Sequence, residues 1–130
     1  MSKTLYRPVV GCAGIADERA RTLHHKWFVT DDTWNLLEGD AAGRLPEVSV
    51  SMMLGYLVLR AEGMLRLDIP MDVIEDDDSV RRQASVAGQA VDAIDEGDLA
   101  AAWFTRFLGT PCRLLKVHPD AYGKVNWPAA

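Results

Sequence analysis

Hydrophobic and polar positions alternate with a helical period in one stretch above all, Asp92 to Pro119, DAIDEGDLAAAWFTRFLGTPCRLLKVHP. Leu99, Ala100, Trp103, Phe104, Phe107 and Leu108 recur at three- and four-residue spacing, which predicts a wide apolar face on a helix. Asp98, Ala101, Thr105 and Arg106 fall on the opposite side. Asp95 or Asp98 can cap the start, because a carboxylate accepts from the free N–H groups there and meets the positive end of the dipole. Gly109 can adopt the left-handed conformation that ends the helix, and Pro111 stops it from resuming. Cys112 to Val117 then reads as a strand. Large rings on one helix face demand a broad apolar partner, so a sheet is expected opposite.

Shorter patterns fill the rest. Leu5 to Val10 reads as a strand that Pro8, lacking an N–H, confines to an edge or makes irregular. Asp17 to Leu23 reads as a short strand. Lys26 to Thr30 is a better one, rich in aromatic and β-branched residues. Asp31-Asp32 suits a tight turn, with Trp34 to Leu37 returning as the second arm of a hairpin. Glu38 to Glu47 is turn-rich and reads as a surface loop. Val48 to Met52 alternates strictly. Tyr56 to Arg60 and Met64 to Ile69 form a pair across Ala61-Glu62-Gly63. The acidic run Asp72 to Asp78 reads as a solvated loop, since a calcium loop needs a ligand spacing and a central glycine missing here. Val86 to Ile94 holds a Gly88-Gln89 turn between two brief strands. The expected fold is therefore mainly β (α+β): a small open or closed β-barrel of short, mostly antiparallel strands with one amphipathic helix near the C-terminus. Residues 1–120 form a single domain, and 121–130 form a loose tail.

Composition narrows the function classes. The chain has 130 residues, enough for one core, and its 48% hydrophobic and 25% charged residues are ordinary for a soluble domain. A net charge of -5 with scattered basic residues argues against nucleic acid as a partner. No leader pattern opens the chain and no apolar run reaches membrane-spanning length, so a cytoplasmic protein with no membrane contact is expected. Cys12 and Cys112 carry no pairing motif, and in a reducing compartment they read as small buried hydrophobes.

Candidate chemistry is sparse. His24-His25, with His118, is the one metal candidate, but neighbours on a strand point to opposite faces. One exposed and one hydrogen-bonded imidazole is the plainer reading, and no metal is expected. Cys12 lies in a small-residue turn where a partner could reach a thiol, although no base accompanies it; Cys112 falls at an inward strand position. Gly11-Cys12-Ala13-Gly14 lacks the lysine and hydroxyl of a phosphate loop. Of the four tryptophans, Trp27, Trp34 and Trp103 read as core, and Trp127 stands apart in the tail.

Two segments resemble a known family. GDLAAAWFTRFLGTPCRLLKV, preceded by VAGQAVDAIDEGD, is similar to the end of the N-terminal β-barrel domain that accompanies MOSC domains, the fold of the C-terminal part of molybdenum-cofactor sulfurase. Pro8 to Gly14 is similar to that family's Pro-Val-Lys-Ser-Cys-Arg-Gly, and His24 to Val29 falls where it has Asp-Arg-Arg-Trp and a hydrophobic strand. The resemblance implies a cofactor-facing site at Val10, Gly11, Ala13, His25 and Lys26, where the molybdenum enzymes of the family hold pterin and phosphate. Here Val10 and Gly11 replace Lys-Ser, Ala13 replaces Arg, and Glu38-Gly39-Asp40 stands where the family has Thr-Gln-Arg. The expectation is a non-catalytic accessory domain without bound molybdenum cofactor, docking to a separate partner that carries a MOSC-type domain. The alternative is a sulfur carrier that holds a persulfide on Cys12.

Overall fold

The computed structural model describes residues 4–71 and 80–128; the acidic run at Asp72 to Asp78 lies outside them. Among the described residues there are seven strands, one α-helix and three short 3-10 helices. The strands are β1 (Trp27–Asp31), β2 (Ser49–Met53), β3 (Tyr56–Arg60), β4 (Leu67–Pro70), β5 (Arg81–Val86), β6 (Gln89–Asp95) and β7 (Cys112–Val117), with α1 (Asp98–Leu108) between β6 and β7. They form two antiparallel sheets, one ordered β1-β7-β6-β5 and one ordered β2-β3-β4. The fold is thus small, β-rich and α+β; among the described residues the strands do not close into a ring.

Within the four-stranded sheet β1 and β7 are buried on both faces, which explains why their buried residues do not alternate with exposed ones. Trp27, Val29, Cys112 and Leu114 face the main core, which they share with the three-stranded sheet and with Trp103, Phe104 and Phe107 of α1. Phe28, Leu115 and Val117 face a second core with Ala84, Val86, Val91 and Ala93, against which Tyr122, Val125 and Trp127 pack. Residues 121 to 127 therefore pack along the second face of the sheet. Tyr122 donates to the carbonyls of His24 and Thr22 at 2.6 and 3.0 Å, and Gln89 joins Lys124 and Asn126 by two further bonds.

The helix ends as expected, with Gly109 at φ 76, but two details of its start and face differ. Gly97, not an aspartate, occupies the N-cap; Asp95 accepts from the Gly97 N–H one step earlier, and Arg113 ties Asp95 to Asp98. Leu99 is 79% exposed while Ala101 is buried, so the apolar stripe is rotated from the one the periodicity picks out.

Further segments depart from expectation, and Leu5 to Val10 makes only isolated bridges, at Tyr6 and Val9, in place of a strand. Glu18–Leu23 is a 3-10 helix, not a strand: Asp17 caps it by accepting from the Arg19 N–H, and its Glu, Arg and Ala residues favour helix. Trp34 to Leu37 makes only isolated bridges, to Thr30 and to Ser85, because Asp31 accepts from Thr33 and Asn35 and tightens the turn. Glu38 to Glu47 coils into two 3-10 turns with Leu45 buried between the sheets' edges. The turn between β5 and β6 is Ala87-Gly88, one residue earlier than the glycine pattern implies.

Candidate functional site at the edge of the first strand

β1 is an edge strand, and two short segments cover its outer side. Pro8 to Val10 does so at one end, where the Trp27 N–H donates to the Pro8 carbonyl and the Val10 N–H to the Trp27 carbonyl, both at 2.9 Å. Proline fits because its carbonyl, not a missing N–H, is used. Asn35 to Leu37 covers the other end, with the Leu37 N–H donating to the Val29 carbonyl at 2.9 Å. The gap left between them is a pocket of about 450 Å³.

Val10 and Gly11 come from the first segment, Leu36 to Gly39 from the second, and Ala42, Leu45 and Pro46 from the coiled loop. His25 and Arg7 line one side, and Trp127 with Pro128 brings the tail over it. Gly11 is required at φ 89, since a Cβ there would stand 3.0 Å from the Leu45 Cδ1. The fold thus gathers residues from all three segments singled out by the sequence: the first turn, the histidine pair and Glu38-Gly39.

The pocket's electrostatics are weak and mixed. His24 and His25 stack with ring centroids 3.9 Å apart, which the left-handed backbone of His25 at φ 58 permits. The two imidazoles are therefore not on opposite faces, because the pair sits in a turn before β1. The Nδ1 of His24 accepts from the Arg7 N–H at 2.9 Å. Burial, then the neighbouring His24 and Arg7, push His25 down to about 4, so it is neutral at pH 7. His24 is lowered as well, by burial and by Arg7. Lys26 does not line the pocket; its ammonium lies 5.5 Å from the Tyr122 ring centroid. Ala13 spends its N–H on the Val48 carbonyl. His118 is elsewhere, after β7, accepting from the Asp120 N–H.

Cys12 is adjacent in sequence but not accessible. It is fully buried in the main core, and burial alone pushes its thiol up to about 12. Cys112 is also a buried free thiol, raised by burial and partly offset by the Thr105 hydroxyl. Neither is placed to act as a nucleophile.

Two cations, Arg7 and Lys116, sit in contrasting surroundings. Arg7 is the cation of the pocket, and among the described residues it has no ion-pair partner. Lys116 is buried on the core side of β7, its ammonium donating to the Met71 carbonyl and lying 5.5 Å from the Trp27 ring. Only the flanking Leu114, Leu115 and Val117 signal its burial.

A pterin bearing a phosphate does not fit this lining. A phosphate calls for several charge-assisted donors, and the pocket offers one arginine, a neutral imidazole and, in Glu38, a carboxylate.

Comparison with known proteins places the fold in context. A solution structure of a Bordetella bronchiseptica protein superposes with a TM-score of 0.83 at 53% identity, covering 99% of this chain and 98% of that one. The molybdenum cofactor sulfurase of Danio rerio is 33% identical over 55% of the chain, and the mitochondrial amidoxime reducing component 2 of Bos taurus is 29% identical over 79%. The chain spans only 9% and 33% of those two relatives' lengths. The family model of the MOSC N-terminal beta barrel domain matches residues 2–111, and the chain belongs to that family.

Proposed function

We propose that this chain is a non-catalytic accessory domain that binds rather than converts, and that it docks to a separate protein carrying a MOSC-type domain. The observation that carries the reading is the family membership combined with the remodelled pocket. Val10 and Gly11 line it with neutral groups, Glu38 adds a negative one, and neither buried thiol is among its lining residues. The molybdenum cofactor sulfurase and the amidoxime reducing component that the chain resembles are far longer, which suits a part that works beside another domain. A cytoplasmic setting accords with two free thiols. Among the described residues no helix is long and apolar enough to cross a membrane.

Affinity purification from native extract tests this reading. Reproducible recovery of a MOSC-type protein with the chain is the expected result; repeated recovery of the chain alone contradicts docking. Sulfur carriage through Cys12 is the weaker alternative, because persulfide exchange needs an accessible thiolate and this thiol is sealed in the core.

A further inference from the structure

We propose that the pocket at the edge of β1 binds a small aromatic monoanion, its ring lodged between the Leu36, Leu45 and Trp127 side chains and its charge beside Arg7. Four observations support the assignment. The volume of about 450 Å³ falls in the range of small-molecule sites. The lining is mostly apolar, with Val10, Val29, Leu36, Leu37, Ala42, Leu45, Pro46 and Trp127 contributing carbon surface. Such a surface gains from burying a ring and gains nothing from a phosphate.

The third observation is the placement of Trp127. Its indole meets Phe28 and His25 edge-on, at centroid distances of 5.4 and 5.6 Å, and it lines the cavity from the tail side. Held from both sides, it offers an aromatic wall at little further cost in side-chain freedom. The fourth is charge. Arg7 lines the pocket without an ion-pair partner among the described residues, and its guanidinium suits a carboxylate or sulfonate. Glu38 lines the same pocket and likewise makes no ion pair among the described residues, so each added negative charge on a ligand meets repulsion. One charge is favoured and two or three are not. That distinguishes this ligand from a phosphorylated cofactor.

The probe is anilinonaphthalene sulfonate, an aromatic monoanion, titrated into the full chain and followed by its fluorescence and by amide correlation spectra. One saturable site is expected, with shifts at Gly11, Gly39 and the Trp127 indole. Arg7→Gln, an exposed position, is expected to weaken it about tenfold, as is replacing the probe by uncharged phenylnaphthylamine. Ala42→Trp, which fills the cavity, is expected to abolish saturable binding, and Leu65→Ser, on the distant groove beside Trp103, to leave it unchanged. Pyrophosphate is expected not to compete. Shifts centred on Leu65 and the Trp103 indole, indifference to Arg7→Gln, or displacement by pyrophosphate would each overturn the assignment. The isolated chain suffices, so this site and the docking reading can fail separately.

Discussion

Trp103 shows how much one side chain can be asked to do. It is 8% exposed, its indole N–H donates to the Leu65 carbonyl at 2.6 Å, and its ring stacks beside Phe107 and meets Phe104 edge-on. It therefore fastens α1 to the loop before β4 as well as filling the core. Trp103→Ala is expected to cost about 3–5 kcal/mol, from lost contacts, a residual cavity and an orphaned carbonyl. Denaturant unfolding measures it, and a loss within about 0.5 kcal/mol would mean that the helix face is wrongly assigned. Cys12 makes the opposite case, a reactive residue type disarmed by its surroundings. With its thiol pushed up to about 12, iodoacetamide labelling of the folded protein should be at least ~100-fold slower at pH 8 than for an exposed cysteine. Labelling at the exposed rate would restore sulfur chemistry to Cys12.

At the scale of elements, strands with strong patterns were legible and turns were not. β1, β2, β3 and β7 start or end within a residue of their sequence-read bounds, because β-branched and aromatic runs leave few alternatives. The 3-10 helix at Glu18–Leu23 was hidden because its stability comes from the Asp17 cap and one buried alanine, not from periodicity. The candidate site was legible as three separate segments, through the family resemblance. Their convergence on the uncovered edge of β1 was not, since it depends on where Pro8 to Val10 and Asn35 to Leu37 run out of hydrogen bonds with that strand. Nor could the tail be read as a wall of the pocket: an isolated tryptophan among Gly, Asn and Pro carries no periodicity.

The stacked histidine turn gives a test at this scale. His25 holds its proton more weakly when folded, so below its unfolded pKa of about 6.5 the unfolded chain binds more protons. Its contribution to stability is complete above about pH 6.5 and is lost as pH falls towards about 4, with His24 acting in the same direction. Allowing for partial solvent screening, the loss is about 1–2 kcal/mol. Thermal melts between pH 7 and pH 4 should show it, and His25→Asn, which tolerates the left-handed backbone, should reduce the slope. An unchanged slope in the variant would place the proton uptake elsewhere.

The whole molecule separates inheritance of a fold from inheritance of a ligand. Its two sheets, the helix against one and the tail against the other face, keep a pocket where the family resemblance puts the cofactor site. Little positive charge stands in that pocket: Val10 and Gly11 supply no cation, His25 is neutral, Arg7 is opposed by Glu38, and the chain as a whole carries -5. Losing two charge-assisted hydrogen bonds, at about 1.5–3 kcal/mol each, is expected to weaken binding of a phosphorylated pterin by at least ~100-fold. The direct measurement is fluorescence of oxidised pterin released from the purified protein. The account predicts none above background; pterin at one equivalent per chain would contradict it and make the domain a cofactor carrier.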